Sequence, residues 1–147
     1  LEMILLKTAI EKTNTTLFAY PYFGIGTQAI QGITSGNSNH THIQENNDQR
    51  LNIKLCNGSE ILFKSSEQGD ALRGYTVSGI YCIDEAAYIP DAIFNITLAW
   101  CNVHRPPILI CSSPHYKTGF FYKYYSMGME PGLNNVFSYD WSTYDTS

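Results

Sequence analysis

The chain has 147 residues, a formal charge of −4, 44% hydrophobic residues, 14% aromatic residues and only 15% charged residues. This composition excludes a disordered chain and fits a single domain. The acidic balance and the mean hydropathy of −0.19 give no general pull toward nucleic acid and no membrane span.

In chain order, Met3, Leu6, Ala9 and Ile10 repeat at helical spacing and predict a helix over 2–12, stopped at Asn14. Residues 15–20 form an apolar run ended by Pro21 and predict a buried strand. A second helix is expected over 24–33, with Gly24 and Gly26 weakening its start. The polar stretch 34–50 predicts a loop. Residues 51–55 and 59–64 alternate around Cys56-Asn57-Gly58, which predicts a hairpin. The run Gly79 to Ile83 predicts a strand buried on both faces, closed by Asp84-Glu85. A helix follows over 91–101, a further apolar strand over 107–111 ending at Ser112-Ser113-Pro114, and an aromatic helix over 118–127. One more strand is possible over 135–141. Strands alternating with helices indicate an α/β fold with a mostly parallel sheet.

Cys56, Cys82, Cys101 and Cys111 form no C-x-x-C pair, so a zinc site is not expected and reduced thiols are the default reading. Asn14, Asn39, Asn57 and Asn95 each open an N-x-[ST] triplet, which leaves a secreted, glycosylated, β-rich binding module as an alternative. His40 with His42, and His104 with His115, lack further ligands at metal spacing. Ser112, His115 and Asp84 lack a nucleophile elbow.

The chemistry concentrates at Asp84 and Glu85. Two adjacent carboxylates at the end of a buried strand are costly unless a cation and a water use them. A Walker B motif has this form: an apolar strand, an Asp that holds Mg²⁺, and a Glu that activates water. The bland reading is an acidic first turn of a helix, favoured by its dipole. Ser112 and Ser113 lie at the end of the next strand, on the side where open parallel sheets bind ligands.

Four segments, Asn57 to Ser65, Leu72 to Tyr75, Ile80 to Tyr88 and Ile108 to Phe121, follow one another in an order that resembles the ATPase domain of the large terminase subunit, the motor that packages DNA in tailed bacteriophages. The resemblance covers roughly residues 1–140. It implies a RecA-like, additional-strand P-loop NTPase fold with helices on both faces of the sheet. It implies Asp84 as the magnesium ligand, Glu85 as the catalytic acid, Arg73 as a charge-stabilising arginine, and Ser112, Ser113 and Pro114 as the coupling motif. It implies ATP and Mg²⁺ as cofactors, and double-stranded DNA, a portal protein, a small terminase subunit and a homo-oligomeric ring as partners, in the cytoplasm of an infected host. A helicase-like ATPase of related fold is the nearer alternative.

The phosphate-binding G-x-x-x-x-G-K-[ST] loop does not occur in the sequence, and neither Gly24-Ile25-Gly26 nor Gly32 to Gly36 supplies it. The resemblance places that loop just before residues 2–12 and a nuclease after the chain. The expectation is therefore a chain that starts within a longer gene, with an exposed apolar edge at 108–111 and no ATP hydrolysis by these residues alone.

Overall fold

The structure, a computed structural model, describes residues 2–11, 14–36, 43–47, 51–72, 74–132 and 135–140. Its centre is one six-stranded sheet in the order β2-β3-β4-β1-β5-β6. The strands are β1 (Thr15–Tyr20), β2 (Ile43–Asn47), β3 (Asn52–Leu55), β4 (Glu60–Ser65), β5 (Tyr81–Ile83) and β6 (Ile108–Ile110). β4, β1, β5 and β6 are mutually parallel, and β3 and β2 continue the sheet antiparallel.

Alternation along the strands supplies both cores. Phe18, Tyr20, Ile61, Phe63 and Cys82 face one side, where helices α1 (Glu2–Glu11) and α2 (Phe23–Gly36) cover them through Leu5, Ala9, Ile30 and Ile33. Leu17, Ala19, Leu62, Tyr81 and Ile83 face the other side. There they meet Phe94 of α3 (Asp91–Leu98), Phe120 of α4 (Gly119–Met129), and Trp100 from the short 3₁₀ turn that prolongs α3. Helices on both faces of a mostly parallel sheet are the expected α/β architecture, and they overturn the β-rich alternative.

Boundaries moved for physical reasons. The stretch 34–50, expected to be a loop, instead carries the end of α2 and the edge strand β2. β2 pairs only with β3, so it needs backbone hydrogen bonds rather than an apolar pattern. The possible strand over 135–141 is not formed across 135–140, and Trp141 lies outside the described residues. That segment instead runs beside α4, where Ser138 Oγ donates to the Tyr124 carbonyl at 3.5 Å. The strand expected over 107–111 forms as β6, but at the sheet edge, with Ile108 38% exposed. Among the described residues no strand pairs with its outer edge.

The Asn57-Gly58 turn does more than reverse the chain. Gly58 adopts φ 84°, a left-handed turn geometry that glycine takes without strain. The Asn57 carboxamide accepts from the Ser59 N–H at 2.9 Å and donates to the Ala9 and Ile10 carbonyls at 2.8 and 3.2 Å. Those carbonyls are among the last of α1, which otherwise lack partners. Asn57→Ala is expected to lower stability by about 1–2 kcal/mol in urea unfolding. The Asn14 amide is likewise engaged, donating to the Thr8 carbonyl at 2.8 Å. A glycan on either nitrogen would break these bonds.

Candidate functional site

The site grows from the carboxyl ends of the four parallel strands. β1 ends at Tyr20, β4 at Ser65, β5 at Ile83 and β6 at Ile110, so Asp84-Glu85 and Cys111-Ser112-Ser113 emerge side by side. The pairing continues past the strands. Asp84 N–H donates to the Ala19 carbonyl at 2.9 Å, Cys111 N–H to Ile83 at 2.9 Å, and Ala86 N–H to Cys111 at 3.0 Å.

Glu85 carries two unusual features. Its backbone sits in the left-handed region, at φ 49° and ψ 42°. A residue with a Cβ adopts that conformation at a cost of roughly 1–2 kcal/mol. Its Oε2 is buried and has no hydrogen-bond partner among the described residues. Strain and an unpaired buried carboxylate oxygen cluster where a ligand or a reacting group is awaited. The Glu85 N–H bonds its neighbour's Oδ1 at 3.1 Å, which fixes the Asp84 carboxylate at the turn.

Ser112 meets that turn directly. Its Oγ accepts the Ala87 N–H at 3.1 Å and donates to the Ser113 carbonyl at 3.1 Å. Tyr88 and His115 rings lie 4.7 Å apart between the same two segments. Further on, Asp91 Oδ1 accepts the Phe120 N–H at 2.8 Å. The structure therefore brings Asp84, Glu85 and Ser112 together. Ser113 and Pro114 follow on the exposed surface of the same segment. Arg73 lies outside the described residues, as do His40 and His42.

Burial raises the Cys82 thiol to about 12, and the nearby Cys111 and Asp84 add to the shift. Cys111 is raised too, by burial first and then by Asp84. The last turn of α1 lies at the sheet's amino end, where Asn57 holds the Ala9 and Ile10 carbonyls. Its amino-terminal end is thereby directed toward the carboxyl edge, on the face that Cys82 lines. The four cysteines are free thiols, with Cys82 and Cys101 buried.

The donor set fits a magnesium ion. Among the described residues no group of three or more His, Cys, Asp or Glu side chains is placed to hold a metal. Mg²⁺ asks for less, since it commonly binds through one or two carboxylates, waters and phosphate oxygens. One carboxylate at the strand end and an unpaired buried oxygen beside it match that requirement. No helix of the described residues is long and apolar enough to cross a membrane.

No family model matches the chain, and no curated protein matches it. Solved structures do. The ATPase domain of the large terminase of Thermus phage P74-26 is similar at a TM-score of 0.71 and 20% identity, over 89% of this chain and 59% of that one. The large terminase of a second, thermophilic bacteriophage gives a TM-score of 0.66 at 13% identity, over 84% of this chain and 32% of that one. The same terminase in complex with ADP gives 0.62 at 15%, over 80% and 30%. The chain spans about 60% of the first domain and about a third of the longer proteins. The fold is thus the α/β, RecA-like fold of phage large terminase ATPase domains.

Proposed function

We propose that the chain is part of an ATP-hydrolysing motor, the ATPase domain of a large terminase subunit that drives double-stranded DNA into a procapsid. The observation that carries this reading is the strained Glu85 with its unpaired buried oxygen, set between Asp84 and Ser112 at the carboxyl edge. The terminase of the thermophilic bacteriophage has been solved with ADP, and nucleotide binding is carried to this chain as part of the proposal.

Asp84 would hold Mg²⁺, and the ion when bound neutralises phosphate charge. The Glu85 carboxylate accepts a proton from the attacking water as the water oxygen bonds to the γ-phosphorus and the bond to ADP breaks. Ser112 senses the Glu85 turn through the Ala87 N–H, which suits a coupling role for Ser112, Ser113 and Pro114. Arg73 is assigned charge stabilisation, in its own subunit or a neighbour's. A ring of copies, a portal protein and a small terminase subunit complete the proposed setting, in the host cytoplasm.

The test is phosphate release by the full-length parent with ATP and magnesium, compared with Asp84→Asn. Turnover is expected to fall by about 100-fold or more, because metal-borne charge stabilisation is worth several kcal/mol. Equal turnover in the two proteins would refute the role of Asp84, and an inactive parent would refute the function.

A further inference from the structure

The contacts between residues 84–91 and 111–120 follow one another in the same order along both segments. Ala86 N–H bonds the Cys111 carbonyl, Ala87 N–H bonds Ser112 Oγ, the Tyr88 ring meets the His115 ring, and Asp91 Oδ1 accepts the Phe120 N–H. Beyond the last contact the Phe94 and Phe120 rings stack at 4.0 Å with an interplanar angle of 1°.

The last contact does a job that α4 leaves undone. An α-helix starts with N–H groups that lack intrahelical partners, and the residue before it usually caps one of them. Thr118 stands at that position in α4 and makes no side-chain cap bond. Asp91 supplies the cap from the first residue of α3, and its charge also suits the helix start. Gly119 adopts φ 81°, and a Cβ there would stand 3.2 Å from Asp91 Oδ1. The turn is thus shaped to admit the carboxylate.

We propose that Asp91 is a positioning residue that fastens α4 to the Glu85 turn, so that 84–91 and 111–129 move as one body. Its meaning for turnover rests on the hydrolytic reading of Glu85. The mechanical claim stands on these contacts alone. Any displacement of the Glu85 turn then reaches α4 at both ends of the 111–118 segment, through Ser112 and through Asp91. α4 becomes the output element of the site, and its half-exposed aromatic face carries the motion outward.

Amide hydrogen exchange on the 147-residue chain, without nucleotide, tests the claim. Asp91→Ala is expected to speed exchange of the Phe120 N–H by about five- to tenfold, the usual worth of a lost cap. If the segments are one body, the Ala87 N–H accelerates as well, although it touches Ser112 and not Asp91. Ser112→Ala should in turn accelerate Phe120. Asp91→Asn keeps an acceptor oxygen and should restore both amides. Changes confined to the amide next to each substitution would overturn the proposal. Should Asp91→Ala not fold, Ser112→Ala decides alone, by whether Phe120 responds. A parent without ATPase activity removes the hydrolytic reading but leaves these exchange results intact, so the two failures are distinguishable.

Discussion

Glu85→Gln is expected to reduce ATP turnover by the full-length parent by about 10²–10⁴-fold, the range for loss of a positioned general base. The substitution keeps the side-chain shape and removes the proton acceptor. ATP binding should survive it, so the loss falls on kcat and leaves KM within a few-fold. Glu85→Gly separates chemistry from strain. Glycine adopts φ 49° without the Cβ penalty and carries no buried, unpaired oxygen. It should be as inactive as the glutamine variant, yet raise unfolding stability by about 1 kcal/mol. An active glutamine variant would remove Glu85 from the chemistry. A glycine variant less stable than the parent would mean that the left-handed turn carries no strain.

The second large effect concerns Gly26. Tyr20 is fully buried at the end of β1, and its ring lies against the backbone of α2. A Cβ on Gly26 would come within 2.2 Å of the Tyr20 ring carbon Cζ and closer still to the hydroxyl. The ring has no room to retreat, because Phe18 packs beside it with centroids 5.6 Å apart. Gly26→Ala is therefore expected to cost about 1–3 kcal/mol by overpacking. A methyl group added at Gly24 would meet nothing within 4 Å, and Gly24→Ala should be neutral or stabilising by up to about 1 kcal/mol. Urea midpoints of the two variants make the comparison, and equal midpoints would refute it.

The Tyr20 hydroxyl itself is buried with no hydrogen-bond partner among the described residues. Tyr20→Phe should raise stability by about 1 kcal/mol, since an unsatisfied polar group is removed. Burial, with Glu67 adding repulsion, raises the Tyr20 pKa to about 12 from the ordinary 10.0. The unfolded chain ionises first, so Tyr20 leaves stability unchanged below pH 10 and lowers it as pH rises from 10 toward 12. The phenylalanine variant should lose part of that alkaline decline.

The elements that announced themselves did so by pattern. The apolar run before Asp84 is a buried strand, the Asn57-Gly58 turn joins a hairpin, and the helical periods at 2–12, 91–101 and 118–127 correspond to α1, α3 and α4. Asp84, Glu85 and Ser112 were legible because strand ends in a parallel sheet share one edge. Other features had no local signal. β2 contains one apolar residue among Ile43-Gln44-Glu45-Asn46-Asn47, since an edge strand held by one neighbour needs no alternation. The exposure of β6 depends on sheet order rather than on its own sequence. Gly26 looked like a weakness of α2, and only the position of Tyr20 explains it. Asn57 under α1 and Asp91 at α4 act across 48 and 29 residues, which no spacing rule reaches.

The place of β1 between β4 and β5 also sets a timetable for synthesis. Asn14 beside the start of β1 waits 45 residues for Ser59, and Thr15 waits 63 for Ser78. At a ribosomal rate of about 5–20 residues per second, the central strand β1 stays unpaired on its β5 side for roughly 3–13 seconds. During that interval Phe18 and Tyr20 have only α1, α2 and the hairpin to shelter them, and Leu17, on the opposite face, waits for α3 and α4. Slowing translation before Tyr81 should therefore increase aggregation of the nascent chain.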